Sequence, residues 1–273
     1  MSTIDPFGRT DTLDESMLEA LVVRFEARGK HPFFSRMLHD YLIAMQVENA
    51  GSVLDLGCGT GLAARTIARR PGFSGKITGI DLSPYLIEAA QRLAREEGIS
   101  ERTDFRTGDV RSLNFSDETF DAVIAHTLFS HVDDVLDVLK EAARLLKAGG
   151  LLGVFDGDYA SLTFDQADPA RSKADDEALI QAVVTNPRVM RQMPRLLQAA
   201  GLELVTSFSY VLSETGTANF WSSAIETYRK LIPKAGVMTQ EESDDWAAGL
   251  RSDSEAGVFF GSCNYYAYVA RRL

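Results

Sequence analysis

The sequence predicts an α/β protein built on a doubly wound, mostly parallel sheet, and three observations predict it. Short apolar runs alternate with amphipathic helical patterns between residues 53 and 155, the order that builds parallel strands with helices on both faces. The run Val53-Leu54-Asp55-Leu56-Gly57-Cys58-Gly59-Thr60-Gly61 breaks an apolar strand into three alternate glycines just before a helical pattern. Acids stand at the ends of several predicted strands, and in such sheets ligands bind beyond the carboxyl ends.

The elements follow in order. Leu18, Leu21, Val22 and Phe25 recur at helical spacing, Gly29-Lys30-His31-Pro32 breaks the pattern, and Met37, Leu38, Tyr41 and Leu42 resume it. Residues 14–46 therefore read as helices ahead of the core. Strand 53–56, helix 62–70 and strand 76–80 come next. Helix 84–97 carries its own boundaries, with Ser83 as N-cap, Pro84 in the first turn and Gly98 just past the end. After strands 103–107 and 120–125, Asp133 can cap a helix running through Leu146, and Lys147-Ala148-Gly149-Gly150 turns into strand 151–155. With these strands parallel, Asp55, Asp81, Asp109, His126 and Asp156 fall on one rim.

Beyond Asp156 the alternation stops, and 157–185 reads as an insertion before a helix that begins at Asn186-Pro187 and ends at Gly201. The tail gives strand 202–212, helices near 217–232 and 239–250, and strand 257–270. Four segments result. Residues 1–48 form a helical cap or lid, 49–156 a ligand-binding core, 157–200 an insertion and helix that are partly lid, and 201–273 complete the sheet with a helical insertion.

Composition narrows the partners. The 273 residues, 45% of them hydrophobic, suffice for one large domain with insertions or one domain plus a small cap. A net charge of −11 repels phosphate backbones, and no basic cluster exceeds Arg69-Arg70 or Arg271-Arg272, so no nucleic-acid partner is expected. No apolar stretch approaches the ~20 residues of a membrane span, and MSTIDPFGRTDTLDE lacks signal-peptide features, so a cytoplasmic protein is expected. Cys58 and Cys263 cannot form a disulfide framework and read as small buried side chains.

The glycine turn has the spacing G-x-G-x-G. Leu62 stands where a dinucleotide fingerprint needs Gly or Ala, which makes NAD or FAD the weaker reading. Asp55 lies inside the motif, and Asp81 follows Gly61 by twenty residues, where a ribose-binding acid is expected. On these residues the chain resembles the class I, Rossmann-like S-adenosylmethionine (SAM)-dependent methyltransferases. The resemblance continues, in the family's order, through Gly79-Ile80-Asp81-Leu82-Ser83, Gly108-Asp109-Val110, Phe120-Asp121-Ala122-Val123-Ile124-Ala125 and Leu145-Leu146-Lys147-Ala148-Gly149-Gly150. It is similar to the small-molecule branch that includes the ubiquinone and menaquinone biosynthesis enzymes, because Ala125-His126-Thr127-Leu128 replaces the Asn/Asp-Pro-Pro-Tyr of nucleobase amino-methyltransferases.

The resemblance implies a seven-stranded sheet with an antiparallel last strand, SAM as cofactor and S-adenosylhomocysteine (SAH) as product. It also implies in-line methyl transfer to an oxygen, nitrogen or carbon of a small acceptor. Methylation of a protein side chain and a non-catalytic SAM-binding module are the alternatives, and a monomer or homodimer is expected. The implied cofactor-binding residues are Asp55, Gly57, Cys58, Gly59, Gly61, Asp81, Leu82, Gly108, Asp109, Val110 and His126. Asp81 would accept from ribose hydroxyls. Asp55 sits near the methionine amino group or is a buried structural carboxylate, and Asp109 with the Val110 N–H meets the adenine by resemblance.

Catalytic candidates are His126 and His131, whose imidazoles suit proton transfer near neutral pH but equally suit packing or capping, and Asp158. Asp156 and Asp158 could bind an acceptor amine or act as base, or merely form a turn. No metal is expected, since Ala125-His126 occupies the place of the acid used by the family's metal-dependent catechol branch. Aromatic residues of the flanking segments are candidates for a lid that excludes water.

Overall fold

The computed structural model describes Asp5 and residues 7–273. Seven strands form one sheet: β1 (Ser52–Leu56), β2 (Lys76–Asp81), β3 (Thr103–Thr107), β4 (Phe120–His126), β5 (Leu146–Phe164), β6 (Leu202–Gly216) and β7 (Phe259–Arg272). Their order is β3-β2-β1-β4-β5-β7-β6. Six strands run parallel, and β7 lies antiparallel between β5 and β6, as the resemblance implies. The chain reverses its direction of strand addition between β1 and β4. Leu56 pairs with Ile80 on one side and Ala125 on the other, so three strand ends open onto one crevice.

Side-chain alternation sorts the sheet into two cores. Val53, Ile77 and Ile124 face the larger one, built with helices α2 (Pro32–Ala44), α3 (Leu62–Ala68) and α4 (Pro84–Glu96). Leu54, Val123 and Leu152 face the smaller one, closed by α5 (Val135–Leu145) and α7 (Val189–Ala199). Ser83 caps α4 by accepting from the Leu86 N–H at 3.3 Å, and Gly98 takes a φ of +70° at its exit, as the sequence predicts. The start of α5 differs: Asp134 occupies the cap position, and its side chain makes no cap hydrogen bond.

The stretch after Asp156 is more regular than expected. β5 continues to Phe164 along β7, with a register shift between Asp158 and Thr163. The small and polar residues of Gly157-Asp158-Tyr159-Ala160-Ser161 hide it from a hydrophobicity pattern. The rest of the expected insertion holds α6 (Pro169–Val183), capped by Asp168, which accepts from the Ala170 and Arg171 N–H groups. Two further helices, α8 (Phe220–Leu231) and α9 (Gln240–Glu255), bridge the long β6–β7 pair. Trp221, Trp246 and Phe259 close on Phe164 there and join this cap to the larger core. α1 (Glu15–Lys30) precedes α2 and crosses the mouth of the crevice near α3 and α4.

Candidate active site

The glycine turn is held by its neighbours on every side. Gly57 (φ +65°) and Gly61 (φ +74°) adopt conformations that L side chains rarely take. A Cβ on Gly57 would lie 2.7 Å from Leu128 Cδ1, and one on Gly61 2.6 Å from the Phe105 ring. Both glycines therefore serve close packing beneath the turn as well as backbone approach from above. Asp55 accepts from the Ala64 N–H in the first turn of α3 at 3.2 Å. Asp81 accepts from Gly59 N–H at 2.9 Å and Ser83 N–H at 3.0 Å, and the Thr10 hydroxyl donates to it at 3.4 Å.

Burial, with the charge of Asp81 added, pushes the Asp55 carboxyl up to about 8, and burial also raises Asp81. Burial, followed by these two acids, pushes the Cys58 thiol well up, which makes it an unreactive packing group. Arg65 ties this end of the site together. It is almost fully buried, pairs with Glu26 of α1 at 2.6 Å and with Glu97 beyond α4, and its Nε donates to the Thr60 carbonyl at 3.3 Å. Glu26 also accepts from the Thr60 hydroxyl at 2.7 Å, so α1 is fixed directly to the glycine turn.

A cavity of about 1140 Å³, counted with its open mouth, runs from this turn toward the cap. Asp55, Gly57, Cys58, Gly59, Asp81, His126 and His131 line it, so the structure gathers the glycine turn, both strand-end acids and both histidines around one space. Thr127 takes a φ of +60° at the end of β4, a strained conformation for a β-branched residue beside the cavity. Burial, with the Arg28 charge second, lowers the His126 pKa to about 3, leaving a neutral imidazole. That ring shares a hydrogen bond with the Tyr41 hydroxyl (3.1 Å) and stacks on Phe155 at 4.6 Å.

His131 behaves oppositely. Burial alone would lower its pKa, but the Asp5 carboxylate, 2.8 Å from Nδ1, reverses the balance and raises it. Asp5 also accepts from the Thr185 N–H and hydroxyl and from the Phe7 N–H. With Thr10 on Asp81, these bonds strap the N-terminal segment across the cavity mouth.

Other predicted site residues lie apart from the enclosed cavity. Leu82 is half-buried beside Asp81, and the Gly108 N–H bonds the Asp81 carbonyl at 2.9 Å, which sets the 108–110 turn against that strand end. Val110 packs into the smaller core. The Asp109 carboxylate is clamped by Arg111 through Nε (2.9 Å) and Nη2 (2.6 Å), which lowers its pKa. Asp156 is buried on Ser130 and holds the loop after β4. Both oxygens of Asp158 are engaged by Arg191 of α7, and Asp158 is not among the residues that line this cavity. Sequence reasoning passed over Thr10, Arg24 and Arg28, all of which line the cavity. The spacing of Arg24 and Arg28, four apart beside the apolar stripe of α1, was the available signal. Among the described residues no group of three or more His, Cys, Asp or Glu side chains is arranged to hold a metal ion.

Six parallel strands with an antiparallel seventh, a glycine turn at the switch point and a buried acid on the next strand make up a Rossmann-like, methyltransferase-type fold. Residues 53–150 match the family profile described as a methyltransferase domain. An uncharacterized 37.1 kDa protein of a Streptomyces fradiae transposon is 30% identical over 232 residues, covering 84% of this chain and 65% of that one. A sterol 24-C-methyltransferase of Aspergillus fumigatus is 37% identical over 133 residues, 48% of this chain and 34% of its own length. The chain thus spans from about a third to 65% of the length of these curated relatives. Among solved structures, the geranyl diphosphate C-methyltransferase of Streptomyces coelicolor shares the fold with a TM-score of 0.54 at 19% identity, covering 99% of this chain and 90% of that one.

Proposed function

We propose that the protein transfers a methyl group from SAM to a small-molecule acceptor held in the enclosed cavity, acting as a cytoplasmic monomer or homodimer without nucleic acid. The observation that carries this reading is the joining of two chemistries in one space. A glycine turn with a ribose-type acid forms one end, and an aromatic chamber under a strapped lid forms the other. When bound, SAM supplies a methyl group already activated by its sulfonium, so the protein need mainly orient the acceptor and keep the site dry.

The chain's own residues suit those tasks. Asp81 and the turn amides would hold the ribose, and Asp55 faces the place where the methionine end belongs. Phe7, Thr10 and α1 cover the mouth. His126, neutral and stacked, can position an acceptor by hydrogen bonding, while a pKa near 3 makes it a weak general base. No helix is long and apolar enough to cross a membrane among the described residues. No metal is invoked. The sterol and geranyl diphosphate relatives support an apolar small-molecule acceptor, and the covered mouth favours it over a protein side chain.

The test is incubation with methyl-labelled SAM and a host extract, followed by separation of small molecules from macromolecules. Protein-dependent label among small molecules is expected. Label confined to precipitated macromolecules would refute the small-molecule reading.

A further inference from the structure

Two guanidinium groups in the cavity lack a counter-charge among the described residues. Arg24 and Arg28 stand four residues apart on α1, which puts both on one helix face, and both line the cavity. Arg24 Nη1 and Arg28 Nη2 are shielded from solvent and have no hydrogen-bond partner among the described residues. Neither arginine has a carboxylate partner among the described residues. The other cations near the cavity are paired, Arg65 with Glu26 and Glu97 and His131 with Asp5, whereas the lining acids Asp55 and Asp81 accept only from N–H and hydroxyl donors at the glycine-turn end.

What surrounds the pair is aromatic. The Arg28 guanidinium lies 4.3 Å from the Phe34 ring centre and 6.0 Å from that of Tyr265, and Arg24 lies 5.3 Å from Tyr228 and 5.8 Å from Phe7. Ring faces steady a guanidinium through its plane, but its N–H groups point outward from the edge and still need acceptors. A buried donor without an acceptor is costly, and a chain with a net charge of −11 has ample acids with which to satisfy one. That these two stay unmatched indicates a partner that arrives with a ligand.

Resting on the methyltransferase reading above, we propose that Arg24 and Arg28 recognise an oxyanion, a carboxylate or a phosphate, carried by the methyl acceptor. The planar fork of a guanidinium matches either group bidentately. The acceptor's apolar or aromatic body then lies against Phe34, Tyr159 and Tyr228, which share the cavity wall. Arg28 acts electrostatically on both His126 and His131, so its charge reaches the end of β4 where the neutral His126 stands. The same two cations repel a protonated amine or a basic peptide, which sets the site against lysine or arginine side chains as acceptors. The competing oxyanion is the methionine carboxylate of SAM itself.

The experiment separates the two sources. SAH is first titrated calorimetrically into the wild-type protein, and failure to bind refutes the cofactor reading on its own evidence. Benzoate, phenyl phosphate and uncharged benzamide are then titrated into SAH-saturated wild type, Arg24→Gln, Arg28→Gln and Arg28→Lys, with binding followed by ligand-observed NMR. One anion is expected to bind at least tenfold more tightly than benzamide in the wild type. That preference should fall at least fivefold in both glutamine variants and be partly retained in Arg28→Lys, with SAH affinity changed less than twofold. Equal binding of charged and neutral probes by the wild type overturns the proposal, whatever the variants do. So does a tenfold loss of SAH affinity in the glutamine variants with the anion preference intact, because the guanidiniums would then belong to the cofactor. A preference for benzoate or for phenyl phosphate identifies which oxyanion the acceptor carries.

Discussion

Replacing Asp81 by Asn tests the cofactor site most directly, because it removes a charge while keeping shape. In the folded protein Asp81 already accepts from the Gly59 and Ser83 N–H groups and, more weakly, from Thr10, so its carboxylate is fixed at the end of β2 before any ligand arrives. Two ribose hydroxyls donating to a carboxylate are worth about 1.5–3 kcal/mol each, and to a neutral carbonyl about 0.5–1.5 kcal/mol. The change therefore costs about 1 kcal/mol per bond and about 2 kcal/mol in all, roughly a thirtyfold rise in Kd. Asn also sets its NH2 against one of the two backbone donors, which removes an acceptor worth about 1–3 kcal/mol and lowers Tm by several degrees. Calorimetric titration with SAH, alongside a melting curve, measures both effects. A folded Asp81→Asn protein whose Kd stays within threefold of wild type would refute the ribose assignment. Asp81→Ala, which strands both backbone donors, should be less stable again.

Asp55 and the N-terminal strap each give a pH-dependent expectation. The folded pKa of Asp55 is raised from 3.8 to about 8, so its contribution to stability is present at low pH and lost as pH rises through about 8. Asp55→Asn cannot ionise, and its melting temperature without cofactor should gain on wild type between pH 6 and pH 9. A gain by wild type instead would mean that the carboxylate is paired. In the strap, His131 is raised above 6.5 and Asp5 lowered below 3.8. The His131 contribution is complete below 6.5 and lost as pH rises through its folded pKa. The Asp5 contribution is complete above 3.8 and lost as pH falls through its own, so the strap is held most firmly from about pH 3.8 to 6.5. Amide exchange of residues 7–12 should be better protected at pH 6 than at pH 9 after correction for intrinsic rates, and Asp5→Asn should abolish the difference. Equal protection at both pH values in wild type would overturn the pairing.

The sheet was legible because its signals are local. A strand, a glycine turn and a capped helix each write their boundaries within a few residues, as Ser83, Pro84 and Gly98 do for α4. The extension of β5 was not legible, because its pairing with β7 is set about a hundred residues away. Asp158 opposite Asn264 and Phe164 opposite Gly261 leave little hydrophobic pattern in the strand itself. Asp134 stands in place of Asp133 at the start of α5, where two adjacent acids offer the same local chemistry and a helix boundary moves easily by one residue.

The same division explains the site. Asp55, Asp81 and the glycines could be read because a backbone motif fixes their places, whereas charged residues are sorted by partners that no spacing encodes. Asp158 resembles a rim acid until Arg191 from α7 closes on both its oxygens, and Asp109 is engaged by Arg111 two residues on. Arg24 and Arg28 look like solvated helix charges until α1 is pinned to the glycine turn through Glu26, which carries both arginines to the cavity wall. Helix α1 therefore brings the two arginines to the cavity, and the core brings Asp55, Asp81 and the glycine turn. On the proposed reading, donor recognition is written in the core motif and acceptor recognition in the flanking helix, where the sequence pattern alone has least to say.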